Sequence, residues 1–127
     1  MLYIIPTKEN KKMKDFYTEL ELNGKKYLIC FDLNVMEAIQ AEYGTIEKWS
    51  ELTSGGKGEA DAKAIIFGFT EMLNEGIDIS NEQNGTDEKP LTHKQVGRMI
   101  TQLGLNNVGN KLGEAIQIAN KDESKNE

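Results

Sequence analysis

The sequence predicts an α+β fold that is mostly helical, in which an N-terminal β-hairpin packs against about four to five α-helices. The hairpin is indicated by Asn23-Gly24, because this dipeptide tolerates the positive φ angles of a two-residue turn between twisted strands. The helices are indicated by apolar residues that recur every three or four positions from residue 35 onwards. At 127 residues the chain suits one hydrophobic core, so we predict a single domain over residues 16–119.

The predicted hairpin occupies residues 16–33, and its turn fixes the pairing of the two strands. The pairs that follow from the turn are Leu22–Lys25, Glu21–Lys26, Leu20–Tyr27, Thr18–Ile29 and Phe16–Phe31. The apolar side chains that share one face are Phe16, Leu20, Tyr27, Ile29 and Phe31. Because an isolated two-stranded hairpin is only marginally stable in water, we expect helices to pack on it.

The two ends of the chain are predicted to lie outside the domain. Residues 1–15 form an N-terminal segment, in which residues 1–5 are interpreted as a short extra strand and residues 8–15 as a charged connector. The apolar run stops at Pro6, too early for a signal peptide or a membrane span. Residues 120–127 contain no apolar side chain, so we predict a disordered tail there.

Five helices are predicted, at residues 35–43, 45–53, 59–74, 92–103 and 108–119. Capping residues mark where they begin and glycines mark where they end. Asn34 and Glu37 resemble a capping box before the first helix, and Gly44 follows its last turn. Thr92 and Gln95 form a capping box before the fourth helix.

The third predicted helix carries the longest apolar stripe, and Gly76 is interpreted as its stop. Gly68 inside this helix indicates close approach by another element. Phe67 points away from the stripe, so it is either covered by a second layer or faces a partner. Trp49 of the preceding helix is interpreted as a core anchor in preference to an interface hot spot. The polar residues 77–90 are predicted to form a mobile loop.

No motif for catalysis or cofactor binding is found in the sequence. Nucleophilic catalysis needs a nucleophile with a base, and metal sites need several ligands, but the chain has one cysteine, Cys30, and one histidine, His93. The glycines of residues 53–58 lack the spacing of a phosphate-binding loop, and residues 80–91 lack the ligands of a calcium loop. We therefore predict no enzyme, no cofactor and no metal.

The charge and the cysteine content limit the partners and the compartment. A net charge of −6 argues against nucleic-acid binding, because phosphate recognition needs a clustered basic surface. No membrane association is predicted. A single cysteine fits a reducing, cytoplasmic setting.

Three short motifs lie in the second strand of the predicted hairpin, at the end of the first helix and at the start of the fourth helix. Residues 25–33 read Lys-Lys-Tyr-Leu-Ile-Cys-Phe-Asp-Leu, the first helix ends in Glu42-Tyr43-Gly44, and residues 91–97 read Leu-Thr-His-Lys-Gln-Val-Gly. With the order of the elements, these motifs resemble the tail assembly chaperones of long-tailed bacteriophages (siphoviruses) and related prophages. The resemblance covers roughly residues 16–119 and includes no catalytic residue.

This resemblance implies a non-structural viral protein of the bacterial host cytoplasm. Such chaperones bind the tape measure protein, a long apolar helical rod, and keep it soluble while tail tube proteins polymerise around it. The expected partners are thus the tape measure protein, the tail tube protein and further copies of the chain.

The residues expected to contact a partner are Phe67 and two small residues of the last helix, Gly109 and Gly113. The alternative function is a small cytoplasmic adaptor or regulatory protein-binding domain of a phage or prophage. An enzyme that uses the surface carboxylates Glu37 or Glu42 ranks third, because no motif supports it.

Overall fold

The computed structural model describes the backbone of residues 17–54 and 58–125, and the side chains of those residues up to 119. Within this part an antiparallel hairpin precedes five helices, which confirms the predicted class, α+β and mostly helical. The elements are β1 (Tyr17–Leu22), β2 (Lys25–Cys30), α1 (Leu33–Tyr43), α2 (Ile46–Ser54), α3 (Ala62–Asn84), α4 (His93–Leu103) and α5 (Leu105–Lys125).

The hairpin has the register that its turn predicts. Leu22 pairs with Lys25 and Leu20 pairs with Tyr27. Both turn residues have positive φ, 55° at Asn23 and 79° at Gly24, as a two-residue turn between twisted strands requires. The predicted extra strand at residues 1–5, the charged connector and the Phe16–Phe31 pair lie outside the described residues.

Helix α3 packs on β2, and α5 packs on β1, so the hairpin is held between two helices. The approach of α3 to β2 is close because Gly76 lacks a side chain. A Cβ atom at Gly76 would lie 2.2 Å from the carbonyl oxygen of Leu28. The glycine predicted to end the helix therefore lies inside it and makes room for a strand backbone.

One hydrophobic core joins the hairpin to all five helices. Trp49 is 1% exposed and its Nε1 donates to the carbonyl of Ala64 at 2.9 Å, which confirms its role as a core anchor. A Cβ at Gly68 would lie 2.3 Å from Cζ2 of Trp49, so the close approach predicted at Gly68 is also confirmed.

Among the helices that the structure describes, none combines the length and the apolar character that a membrane span requires.

The mobile loop predicted over residues 77–90 is wrong for its first half, because α3 continues to Asn84. Ile77 is 7% exposed and holds this part of the helix against the core. Gly85, with φ 65°, provides the C-cap instead of Gly76. Beyond it the connector is tied down, since the side chain of Asn81 donates to the carbonyl of Glu88 at 2.9 Å and accepts from its backbone amide at 3.0 Å.

Two predicted helix starts are wrong by two to three residues because aspartates provide the caps. Asp32 accepts from the amide of Val35 at 3.1 Å, so α1 begins at Leu33, and the predicted cap Asn34 lies inside the helix. Asp61 caps α3 in the same way, so that helix begins at Ala62 rather than at residue 59. The capping box of Thr92 and Gln95 is present as predicted.

Helix α5 is longer than predicted at both ends. It begins at Leu105, directly after Gly104, rather than at residue 108. It also continues to Lys125, so residues 120–125 extend the helix in place of the predicted disordered tail over 120–127. The residues of this extension have no apolar side chain, but Lys121, Glu123 and Lys125 are good helix formers, and residues added to an established helix need no new nucleus.

Candidate binding grooves

Two open grooves lie between helices, and they share no lining residue. The first, here called the Phe67 groove, has a volume of about 690 Å³ and lies between α3 and α4. The second, here called the Gly109 groove, has a volume of about 470 Å³ and lies between α2 and α5. Volumes of this size accommodate several apolar side chains of a ligand.

The floor of the Phe67 groove is apolar. The ring of Phe67 is partly covered by Tyr43, which meets it edge-on with the centroids 5.6 Å apart, and by His93 at 6.0 Å. The rest of the ring faces the groove beside Ile66. A Cβ at Gly97 would meet only Cδ1 of Ile66, at 3.5 Å, so the absence of a side chain on α4 keeps the floor open.

The rim of the Phe67 groove is basic, although the chain as a whole carries a net charge of −6. Lys63 on α3 and Lys94 and Arg98 on α4 line it, against a single carboxylate, Glu42. The ion pairs among the described residues are Lys25–Glu88 and Lys111–Glu114. Within that part of the chain, the cations of the rim thus have no carboxylate partner.

Among the described residues, the lining of the Gly109 groove has no charged side chain and mixes apolar with hydroxyl and amide side chains. Gly109 and Gly113 lie one helical turn apart on α5, and a Cβ at either position would meet no atom within 4 Å. Leu105, which is 59% exposed, and Ile116 continue the same surface. Among the described residues, no element of the chain therefore packs against these two glycines.

The structure places the three predicted contact residues in two grooves. Phe67 lines one, while Gly109 and Gly113 line the other. Sequence reasoning missed the basic residues of the rim. Their spacing could have indicated them, since Lys63 is one turn from Phe67 and Lys94 is one turn from Arg98. However, only the packing of α3 on α4 brings the two pairs together.

Comparison with known proteins does not identify a family. The chain matches no family model, no curated protein and no solved structure.

The remaining reactive groups are few. Among the described side chains, no three His, Cys, Asp or Glu residues lie close enough together to hold a metal ion. Cys30 is 1% exposed, and burial, together with the nearby carboxyls of Asp32 and Glu75, raises the pKa of its thiol. A thiol that stays protonated is a poor nucleophile. His93 is exposed at the edge of the Phe67 groove.

Two carboxyl groups share a hydrogen bond beside Cys30. The hydrogen bond of Glu75 to Asp32, together with partial burial, raises the pKa of Glu75 from 4.5 to about 7, although Asn34 donates to its Oε2 at 2.9 Å and opposes the change. Because the pKa of Glu75 is raised to about 7, Glu75 carries the proton of this hydrogen bond below that pH. This pair links the first helix to α3.

Proposed function

We propose that this protein is a tail assembly chaperone of a long-tailed bacteriophage or prophage, which binds the tape measure protein and keeps it soluble in the cytoplasm of the bacterial host. The observation that carries the proposal is the pair of open grooves between helices, one with an apolar floor, which contain all three residues expected to contact a partner. The motifs of residues 25–33, 42–44 and 91–97 support the same assignment by resemblance.

The grooves suit a helical client. An amphipathic helix binds by placing apolar side chains, spaced three and four residues apart, into a groove between helices. The Phe67 groove offers aromatic and aliphatic side chains at its floor, and the Gly109 groove offers a surface that another helix can approach closely. Further copies of the chain along one tape measure protein would hide its apolar surface turn by turn.

The charge of the chain supports this role. A net charge of −6 keeps a complex soluble while its apolar surfaces face each other. Shallow grooves bury less area than a permanent interface, so the client is released when tail tube proteins compete for the same rod. This exchange of one partner for another requires only that the tail tube proteins bind the tape measure protein with a more favourable free energy than this chain does.

Co-expression tests the proposal. The chain is produced together with the long, helical reading frame expected next to its gene, and the soluble fraction and co-purification of that protein are measured. We expect the tape measure protein to aggregate when produced alone and to stay soluble in a complex with this chain. If it is equally soluble with and without the chain, the proposal is wrong, and a stable complex with another folded protein would favour the adaptor function.

Two variants locate the client. Gly97→Leu and Gly113→Leu each add one side chain at an open helical glycine, and they fill the Phe67 groove and the Gly109 groove respectively. Both substitutions favour the helix, and a urea unfolding curve of each variant separates loss of binding from loss of fold. We expect Gly97→Leu to abolish co-purification and Gly113→Leu to weaken it. A complex that survives both changes would exclude the grooves as the binding surface.

A further inference from the structure

We propose that the Phe67 groove selects an amphipathic helix of a partner protein whose apolar side chains are flanked by acidic residues. The proposal rests on the proposed function, because it assigns the bound helix to a protein client. It adds the chemistry by which the groove distinguishes one helical segment from another.

The length of the groove fits two turns of a helix. Along α4 the lining residues run from His93 to Thr101, which is about 12 Å at 1.5 Å per residue. A bound helix that places side chains at positions i, i+4 and i+7 spans nearly the same distance. The apolar floor follows this length, with Phe67 beside His93 at one end and Ile66 next to Gly97 in the middle.

The charge of the rim determines which helices fit. Lys63 stands on one side of the groove, and Lys94 and Arg98 stand on the other. Carboxylates that flank an apolar stripe would meet these cations from both sides, and the planar guanidinium of Arg98 can bind a carboxylate with two hydrogen bonds. Lysines in the same places would meet like charges, which costs binding free energy.

The overall charge of the chain sharpens this selection. A net charge of −6 disfavours an acidic helix over the chain as a whole, whereas the basic rim favours it locally. The Gly109 groove, whose described lining residues include no charged side chain, provides an internal comparison. A helix held there should bind with little regard to the charges that flank its apolar stripe.

Two synthetic peptides test the selection on the purified full chain. Both have about 18 residues, enough to form a helix, and carry the same leucine stripe, but one has glutamate and the other has lysine at every flanking position. Fluorescence anisotropy gives their affinities. We expect the glutamate peptide to bind at least about tenfold more tightly at low salt. The advantage should shrink in about 1 M salt, where the Debye length falls to about 3 Å.

A matched pair of variants separates the groove from the charge of the whole chain. The double variant Lys94→Glu and Arg98→Glu should reverse the preference of the peptides. Lys48→Glu with Lys89→Glu changes the net charge equally, at exposed lysines that do not line the groove, and should leave the preference unchanged. Equal affinities of the two peptides for the natural chain, or an equal effect of the two double variants, would overturn the proposal.

Further measurements identify what occupies the groove and separate a failure of this proposal from a failure of the proposed function. If sedimentation shows that the chain alone forms a dimer, and the Arg98→Glu variant is a monomer, then a second copy occupies the groove and the proposal is overturned. The peptide assay contains no tape measure protein. Peptides that fail while co-expression succeeds would refute only the acidic selection, whereas the reverse result would support the selection and refute the tape measure assignment.

Discussion

Replacing Glu75 with glutamine is expected to stabilise the protein at alkaline pH and to have little effect at acid pH. In the folded chain the hydrogen bond to Asp32 and partial burial raise the pKa of Glu75 from 4.5 to about 7. Folding therefore favours the protonated form. The stability that Glu75 contributes is complete below about pH 4.5 and is lost as the pH rises through 7.

The magnitude follows from these two pKa values. A change from 4.5 to about 7 corresponds to roughly 3 kcal/mol of free energy of unfolding, lost once the pH exceeds 7. Because Glu75 is partly exposed, water screens its repulsion by Asp32, and we expect about 1–2 kcal/mol. Glutamine avoids this loss, since it stays neutral, keeps an oxygen for Asn34 to donate to and offers an N–H to Asp32.

Urea unfolding between pH 4.5 and pH 8.5 measures the effect, with the fluorescence of the buried Trp49 as the probe. The difference between Glu75→Gln and the natural chain should grow from near zero to its full value across this range. Glu82→Gln removes an exposed carboxylate from the same helix and serves as the control, with no such trend expected. A constant difference at every pH, or destabilisation at pH 8, would refute the shared proton between Glu75 and Asp32.

Two further predictions concern packing, and both are measured by urea unfolding. Gly76→Ala should destabilise the protein by about 3 kcal/mol or more, because its Cβ would lie 2.2 Å from the carbonyl oxygen of Leu28. Gly113→Ala, in open space on a helix, should stabilise it by up to about 1 kcal/mol, and equal effects would refute the close approach. Thr70→Val should stabilise by about 1 kcal/mol, because the hydroxyl is buried without a partner among the described residues. Thr101→Val, whose exposed hydroxyl donates to a backbone carbonyl at 2.9 Å, should change stability by less than about 0.5 kcal/mol, and a gain as large as that at Thr70 would exclude the unsatisfied hydroxyl as the cause.

Features that depend on a few neighbouring residues could be predicted from the sequence. Asn23-Gly24 fixed the strand register because a two-residue turn leaves no freedom in how the strands pair. The capping box of Thr92 and Gln95 located the start of a helix because both hydrogen bonds lie within four residues. Gly68 indicated a close contact, although the sequence could not say that Trp49 makes it.

Features that depend on residues far apart in the sequence could not be predicted from it. Gly76 has the same local appearance as a helix stop, but α3 continues through it to Asn84 and packs there on the carbonyl of Leu28, a contact that the local sequence does not reveal. Asn34 and Asp32 are both good capping residues, but Asp32 is the cap in the structure. The side chain of Asn34 instead donates a hydrogen bond to Glu75, which lies 41 positions further along the chain.

The same division applies to the candidate site. The sequence by itself determined the fold class and the hairpin register, and it identified Phe67, Gly109 and Gly113 as candidate contact residues, because each depends on local spacing or side-chain chemistry. Only the tertiary structure decided that Phe67 and the glycines line separate grooves, and that Lys63 and Arg98 flank the first of these. A groove exists only where two helices meet, and the angle and register of that contact are set by side chains far apart in the sequence.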